Sequence, residues 1–153
     1  MQTFITDHNL AISARNLDNK RLGKQRVEAL QILDCLIRKP NRWLNHPATQ
    51  MWKGNEGYLL LVYIQKIFYE WSDIRKFKNH KCLHWSFELF DYMMKVNHQF
   101  SVSCNKPDWV TDKFIEAHRS NLIRKNPDHY KPLFPVTKEG LDYIWPGKLE
   151  ATK

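Results

Sequence analysis

Between positions 20 and 28 the chain sets four cations beside a carboxylate: Lys20, Arg21, Lys24, Arg26 and Glu28. Clustered cations suit phosphates, because each contact gains mainly by releasing counterions. Arginine adds geometry, gripping a phosphate through two parallel hydrogen bonds. Lys39, Arg42 and Lys53 extend the basic set. The plain alternative is a solvated helix face balanced by Glu28 and Asp34. A second group lies in HRSNLIRK, where His118, Asn121 and Lys125 are spaced i, i+3, i+7 and share a helical face, with Arg124 beside it. A histidine, an amide and two cations suit a phosphate or a base edge. An ordinary basic last turn, favoured by the helix dipole, is the alternative. Asn45 and His46 form a third group, ahead of Pro47 and flanked by Trp43 and Trp52. Polar groups beside aromatic rings suit a stacked base. Core burial is the preferred reading of both tryptophans, and His46 stays open between a site and a helix cap. His80, Cys82 and His84 converge only on an extended segment, and no second cluster completes zinc spacing, so no metal is expected. No glycine-rich phosphate loop, nucleophile elbow or HExxH motif occurs, and no cofactor is expected.

The elements that must carry these groups read as helices throughout. The organiser is a long amphipathic helix from Asp18 to Lys39, with Leu22, Leu30, Leu33 and Ile37 on a buried stripe and Ala29 and Leu36 beside it. Asp18 caps it and Pro40 stops it. Its polar residues crowd the first half, where a helix start favours anions. Before it, residues 1–5 read as extended, and Thr6 or Asp7 caps a brief helix through Arg15. After it comes a loop, then a turn from Pro47 through Trp52, broken at Gly54. Asn55 caps a second long helix, Glu56 to about Phe77, apolar over much of its circumference and therefore central and buried. Lys76 to Lys81 reads as a basic connector, followed by a helix from His84 to Phe100 and a loop from Ser101 to Asp108. A helix from Thr111 to Lys125 turns Phe114, Ile115, Leu122 and Ile123 inward, and Pro127 opens a short helix through Leu133. Tyr143, Ile144 and Trp145 drape the tail over the core. The expected class is all-α: one compact domain over residues 1–153.

Bulk properties agree with a folded, anion-seeking chain. Its 153 residues suit one domain and a core that needs no disulfide. Six Trp, eight Phe and six Tyr exclude a disordered chain. Lys and Arg number 24 against 16 Asp and Glu, a net charge of +8 that points to nucleic acid or a nucleotide as partner. Three unpaired-looking cysteines and no export signal at MQTFITDHNL imply the cytoplasm, and the run YLLLVYI is too short to span a membrane.

The blocks Asn19 to Glu28, Asn45-His46-Pro47 with Met51-Trp52, His118 to Leu122 with Arg124, Lys125 and Pro127, and Tyr143-x-Trp145-Pro146 together carry a likeness. They resemble the pyrimidine-dimer DNA glycosylase family (endonuclease V-like proteins), and a phage and bacterial subgroup more closely than the prototype. The resemblance implies a compact all-α enzyme that removes a damaged pyrimidine and then nicks the abasic strand. It implies an N-terminal α-amine as nucleophile, assisted by a helix carboxylate. A peptide α-amine is partly neutral near pH 7 and can form an imine at the sugar C1′. Here the second residue is Gln2, so retention of the methionine is expected and the amine would be that of Met1. In the best local alignment Arg26 keeps the prototype's second helix arginine, whereas Leu22 and Gly23 stand where its first arginine and its glutamate belong. Glu28 is the nearest substitute acid, with Asp18 the other candidate.

Met1, Arg26 and Glu28 are therefore the expected catalytic residues. Lys20, Arg21, Lys24, Asn45, His46, His118, Asn121, Arg124 and Lys125 are the expected nucleic-acid contacts. A DNA glycosylase with abasic-site lyase activity is the leading expectation. Two others remain open: a same-fold enzyme acting on a nucleotide or modified base without the terminal amine, and a non-catalytic nucleic-acid-binding module. No protein partner is specified.

Overall fold

The computed structural model of the protein describes residues 1–96, 100 and 102–146. Every regular element among them is helical. Helix α1 is Leu10–Asn16, capped by Asn9, whose side chain accepts from the backbone N–H groups of Ala11 and Ile12. Thr6 and Asp7, the expected caps, lie just before it, and Asp7 instead accepts from the Asn9 N–H. Helix α2 is Asn19–Ile37, with Asp18 accepting from the Arg21 N–H at 2.9 Å. It ends two residues short of the expected Lys39, with the Arg38 and Lys39 N–H groups both donating to the Asp34 carbonyl. Helix α3 is the single turn Pro47–Gln50, and Gly54 breaks the chain after it at a φ of 85°, in the left-handed region that suits glycine.

The second long helix, α4, runs in four consecutive pieces: Glu56–Tyr58, Leu59–Tyr63, Ile64–Phe68 and Tyr69–Ile74. The second and fourth are π-helical turns. The sequence accounts for them. The buried positions Leu59-Leu60, Tyr63-Ile64 and Ile67-Phe68 repeat every four residues. In an α-helix such a repeat drifts by about 40° per turn. Wider π turns hold it on one side. Leu61 is accordingly exposed and Val62 half-buried, so α4 buries one face rather than its whole circumference. Arg75, just past its end, ties it down: the guanidinium pairs with Glu70 and donates to Asn19 Oδ1 and to the Arg15 and Leu17 carbonyls.

Helix α5 is His80–Lys95, beginning four residues before the expected start and ending at Lys95 with Val96 as its cap, short of the expected Phe100, which lies in a bend. His80 and His84 therefore share a helical face while Cys82 points inward, and the three do not converge. Helix α6 is Asp112–Lys125, capped by the Thr111 hydroxyl, and α7 is Pro127–Leu133, with Pro127 at its first turn. Helix α2 lies at the centre, packed by α3, α4 and α5, while α1 rests on α4 and α7 on α6. Tyr143 and Trp145 do pack on the core, but Ile144 is exposed. No described helix is long and apolar enough to cross a membrane.

Asp18 is the joint between α2 and the α6–α7 corner. Its N–H donates to the Tyr130 hydroxyl, and its carboxylate also takes Arg21 Nη1 at 3.2 Å and Asn126 Nδ2 at 3.4 Å. Burial pushes this carboxyl up, but the Arg21 N–H, the Tyr130 and Asn126 hydrogen bonds and the Arg21 charge outweigh it, leaving a net fall below the ordinary range. A depressed carboxyl stabilises the fold above its unfolded pKa and loses that contribution as pH falls through the folded one. Asp18→Asn should therefore cost about 1 kcal/mol at pH 7. Urea denaturation should show the gap between variant and wild type closing as pH drops below about 4.

Candidate active site

Residues 2–6 run extended and buried between helices. They have no partner strand, so side chains must satisfy the backbone. Gln25, on the inner side of α2, accepts from the Phe4 N–H at 2.8 Å and donates to the Gln2 carbonyl at 2.9 Å. Its oxygen also takes the Tyr63 hydroxyl at 2.7 Å. The Ile5 N–H donates to His118 Nδ1, the Thr6 N–H to Ser13, and Arg119 Nε to the Thr6 carbonyl. Trp52 Nε1 donates to Thr3 Oγ1. Gln25 is buried although its neighbours in sequence are polar and charged. The available signal was that Gln25 stands i+3 from Leu22 and i−4 from Ala29, on the apolar stripe.

This clamp delivers the chain end to a cleft of about 200 Å³ lined by Met1, Gln2, Phe4, Lys20, Arg21, Lys24, Gln25, Glu28 and Lys125. The Gln2 N–H donates to Glu28 Oε2 at 3.2 Å, so a carboxylate sits one residue from the α-amine. Gln2 Nε2 is buried with no partner. The space is smaller than the roughly 300–1,000 Å³ of a typical small-molecule site. It suits one sugar or base entering from a larger ligand. Grooves of about 460 to 560 Å³ elsewhere are roomier but none is lined by the chain end.

Arg21 stands at the rim, paired with Asp18 and reaching the Lys125 carbonyl at the α6 terminus at 3.5 Å. Lys20, Lys24 and Lys125 are exposed. Burial, then the charges of Arg21, Arg124 and Lys24, pulls the Lys125 ammonium below its ordinary value, with Glu28 opposing. Arg124 is next to Lys125 and donates to Asn121 Oδ1.

Other expected residues lie elsewhere. Arg26 leaves α2 about 200° from Lys24. Its guanidinium lies 4.2 Å from the Trp71 ring centre and donates to Asn79 Oδ1 at 2.8 Å. Gly23 explains that layer: a Cβ there would stand 3.2 Å from the Trp71 ring. A side chain at 23 would meet the indole and not the cleft. Asp18 is committed to its cap. His118 is fully buried among Phe4, Phe114 and Tyr143, and burial lowers its pKa to about 3. Asn121 is buried too, donating to the Ala117 and Leu141 carbonyls and so holding the C-terminal segment. His46 caps α3 through Nδ1, its ring edge-on to Trp43 and Trp145. Asn45 is exposed and lines a different groove. Trp52 is core, and Trp43 is half-buried beneath Arg42. Among the described residues no group of three or more His, Cys, Asp or Glu is placed to hold a metal ion.

Two measurements test these placements. A neutral folded His118 makes its full contribution above the ordinary histidine pKa of about 6.5 and loses it as pH falls toward 3. Wild-type stability should therefore drop across that window by up to about 1.4 kcal/mol per pH unit from this group. His118→Gln should remove that share of the slope, whatever it costs at pH 7. Gly23→Glu should lose about 1–3 kcal/mol through overpacking on Trp71. An unshifted urea midpoint would mean the indole yields freely.

A family model described as pyrimidine dimer DNA glycosylase matches residues 1–87 of the chain. No curated protein and no solved structure matches it. The matched residues include Met1, Gln25 and Glu28 but not Lys125.

Proposed function

The chain belongs to the pyrimidine dimer DNA glycosylase family, and from that premise we propose that it removes a damaged or modified pyrimidine from DNA through an imine on the Met1 α-amine and then cleaves the abasic strand. The observation that carries this reading is the Gln2 N–H bond to Glu28, which keeps a carboxylate beside the chain end in a cleft rimmed by cations. The amine lone pair attacks the sugar C1′. The glycosidic bond breaks with its electron pair leaving on the base, which takes up a proton. Loss of one proton from the attacking nitrogen and opening of the ring, with O4′ taking up a proton, yield the protonated imine. Removal of a proton from C2′ then expels the 3′ phosphate, and water hydrolyses the imine to free the enzyme.

Glu28 fits the acid–base role by position: it faces the developing positive sugar and can carry the C2′ proton. Lys20, Arg21, Lys24 and Lys125 hold the flanking phosphates, and Arg124 adds charge behind them. His118 and Asn121 serve this scheme indirectly, by fixing residues 4–5 and the tail, and Arg26 serves it by bracing the back of α2. The amine-independent enzyme remains the second reading, because Met1 and the side chain of Gln2 add bulk around the chain end.

Borohydride trapping on an abasic duplex is the test. Wild type should give a covalent adduct that a fused N-terminal extension abolishes. Glu28→Gln should slow trapping and nicking by about 10²-fold or more. Activity that survives the extension would transfer the chemistry to the second reading, and absence of both adduct and nicking would end the first.

A further inference from the structure

A second groove, of about 560 Å³, lies between the end of α2, the loop after it and α5. Its volume falls within the roughly 300–1,000 Å³ of a typical small-molecule site. Trp43, Trp85, Lys39, Arg42, Gln31 and Asn41 line it, with Asp34 at its wall. Both indoles are half-buried, so part of each is open to solvent, and the other four side chains are exposed. The tryptophans are held in place. Trp85 Nε1 donates to Asp34 Oδ2 at 3.0 Å, and the Trp43 N–H donates to Asn41 Oδ1 at 2.9 Å. Asp34 is in turn gripped by Arg38 Nε and Nη2 at 2.9 and 3.0 Å. Its charge is thus matched, and the excess charge of the groove is that of Lys39 and Arg42.

Two indoles between two cations select a class of ligand. An aromatic face stacks on any nucleobase, and nearby cations take the phosphates on either side of it. The Arg42 guanidinium lies 5.1 Å from the Trp43 ring centre. A guanidinium plane is itself a surface on which a base stacks. Gln31 adds an amide that both donates and accepts, as a base edge requires. A base inside a duplex cannot use such a ring, because its two faces are covered by its neighbours in the stack. The groove therefore suits an unpaired base.

Its position relative to the cleft says which strand supplies that base. Lys24, Glu28 and Gln31 are spaced i, i+4, i+7 and form one stripe along α2. Lys24 and Glu28 line the cleft, and Gln31 lines the groove. Seven residues of helix span about 10 Å, which is about three nucleotides at the 3.4 Å rise of a stacked strand and fewer when it is stretched. A strand with one nucleotide at the chain end thus reaches the groove without leaving α2. We propose that the groove holds an unpaired base of the substrate strand, so that the enzyme acts on DNA that is single-stranded beside the damaged pyrimidine. The proposal rests on the glycosylase reading for the identity of the strand, but binding in the groove needs no chemistry at Met1.

Fluorescence anisotropy on the full chain tests it, with labelled DNA of about 12 nucleotides carrying a tetrahydrofuran abasic residue that forms no imine. A duplex whose complementary strand lacks the nucleotides beside the abasic residue should bind more tightly than the fully paired one. A duplex gapped instead on the abasic strand should bind like the paired one. Trp43→Ala should weaken the first complex by about 5- to 100-fold and leave the paired complex within about twofold, whereas Trp43→Phe should keep most of the affinity. Arg42→Ala, a solvent-exposed change, should lower the slope of log affinity against log salt by about 0.7. Equal affinity for gapped and paired DNA, a preference for unpaired bases on the opposite strand, or a loss on Trp43→Ala that is the same for all three would each overturn the proposal. Borohydride trapping is scored separately. Its failure with the gapped-strand preference intact ends the imine reading alone, and trapping without that preference ends this proposal alone.

Discussion

The structure depends on the burial of an unpaired extended segment. Residues 2–6 lie inside an all-helical protein. Each buried amide or carbonyl left without a partner would cost about 1–3 kcal/mol. Helices satisfy their own backbone and have no edge to offer, so the partners must be side chains. Gln25 from α2, Tyr63 from α4, Ser13 from α1, and His118 and Arg119 from α6 supply them. Four helices thus converge on five residues. The register of the N-terminal segment and the packing of the bundle are one constraint, and its consequence is that Met1 emerges at a defined place.

Much of this was legible in the amino-acid pattern and some was not, for physical reasons. Helix α2 was read closely because a long stripe at three-and-four spacing has one solution. The π turns of α4 escaped because a chain apolar on many sides hides the four-residue repeat that demands them. The start of α5 was missed because KFKNHK reads as a solvated connector, although His80 and Lys81 already lie on the helix. Among polar residues, side-chain direction separates site from core. His118 stands i+4 from Phe114 and i−4 from Leu122, and so belongs to the inward face. Asn121 follows it inward. Arg26 sits in a run of cations, yet its angle on the helix separates it from Lys24 and Glu28. The group that does converge, Met1 with Arg21, Lys24, Glu28 and Lys125, joins the first 28 residues to the end of α6, and periodicity alone carries no such long-range information.

Helix α2 consequently works as a wall with two unlike sides. Its back is crowded: Gly23 admits the Trp71 ring, and Arg26 caps that ring while bonded to Asn79. An acid at position 23 would be pressed into this layer. Its front is spacious and polar, and Glu28 is held there by the backbone of Gln2 rather than by a neighbouring cation.

Electrostatics set the remaining tension. Lys20, Arg21, Lys24, Arg124 and Lys125 crowd the rim, while Glu28 lines the cleft and Asp18 is already used as a cap. Lys125 registers the strain, lowered by burial and by its cationic neighbours. Like charges held this close destabilise the compact state through mutual repulsion. The fold tolerates it because the neutral hydrogen-bonded segment beneath, Gln25 with residues 2–4, anchors both sides of the cleft without using charge. A polyanion laid across the rim would relieve the repulsion as it bound, so part of its affinity comes from tension already present in the free protein. That arrangement ties the buried segment to the surface: a neutral clamp fixes the chain end beneath a rim that keeps its excess of cations.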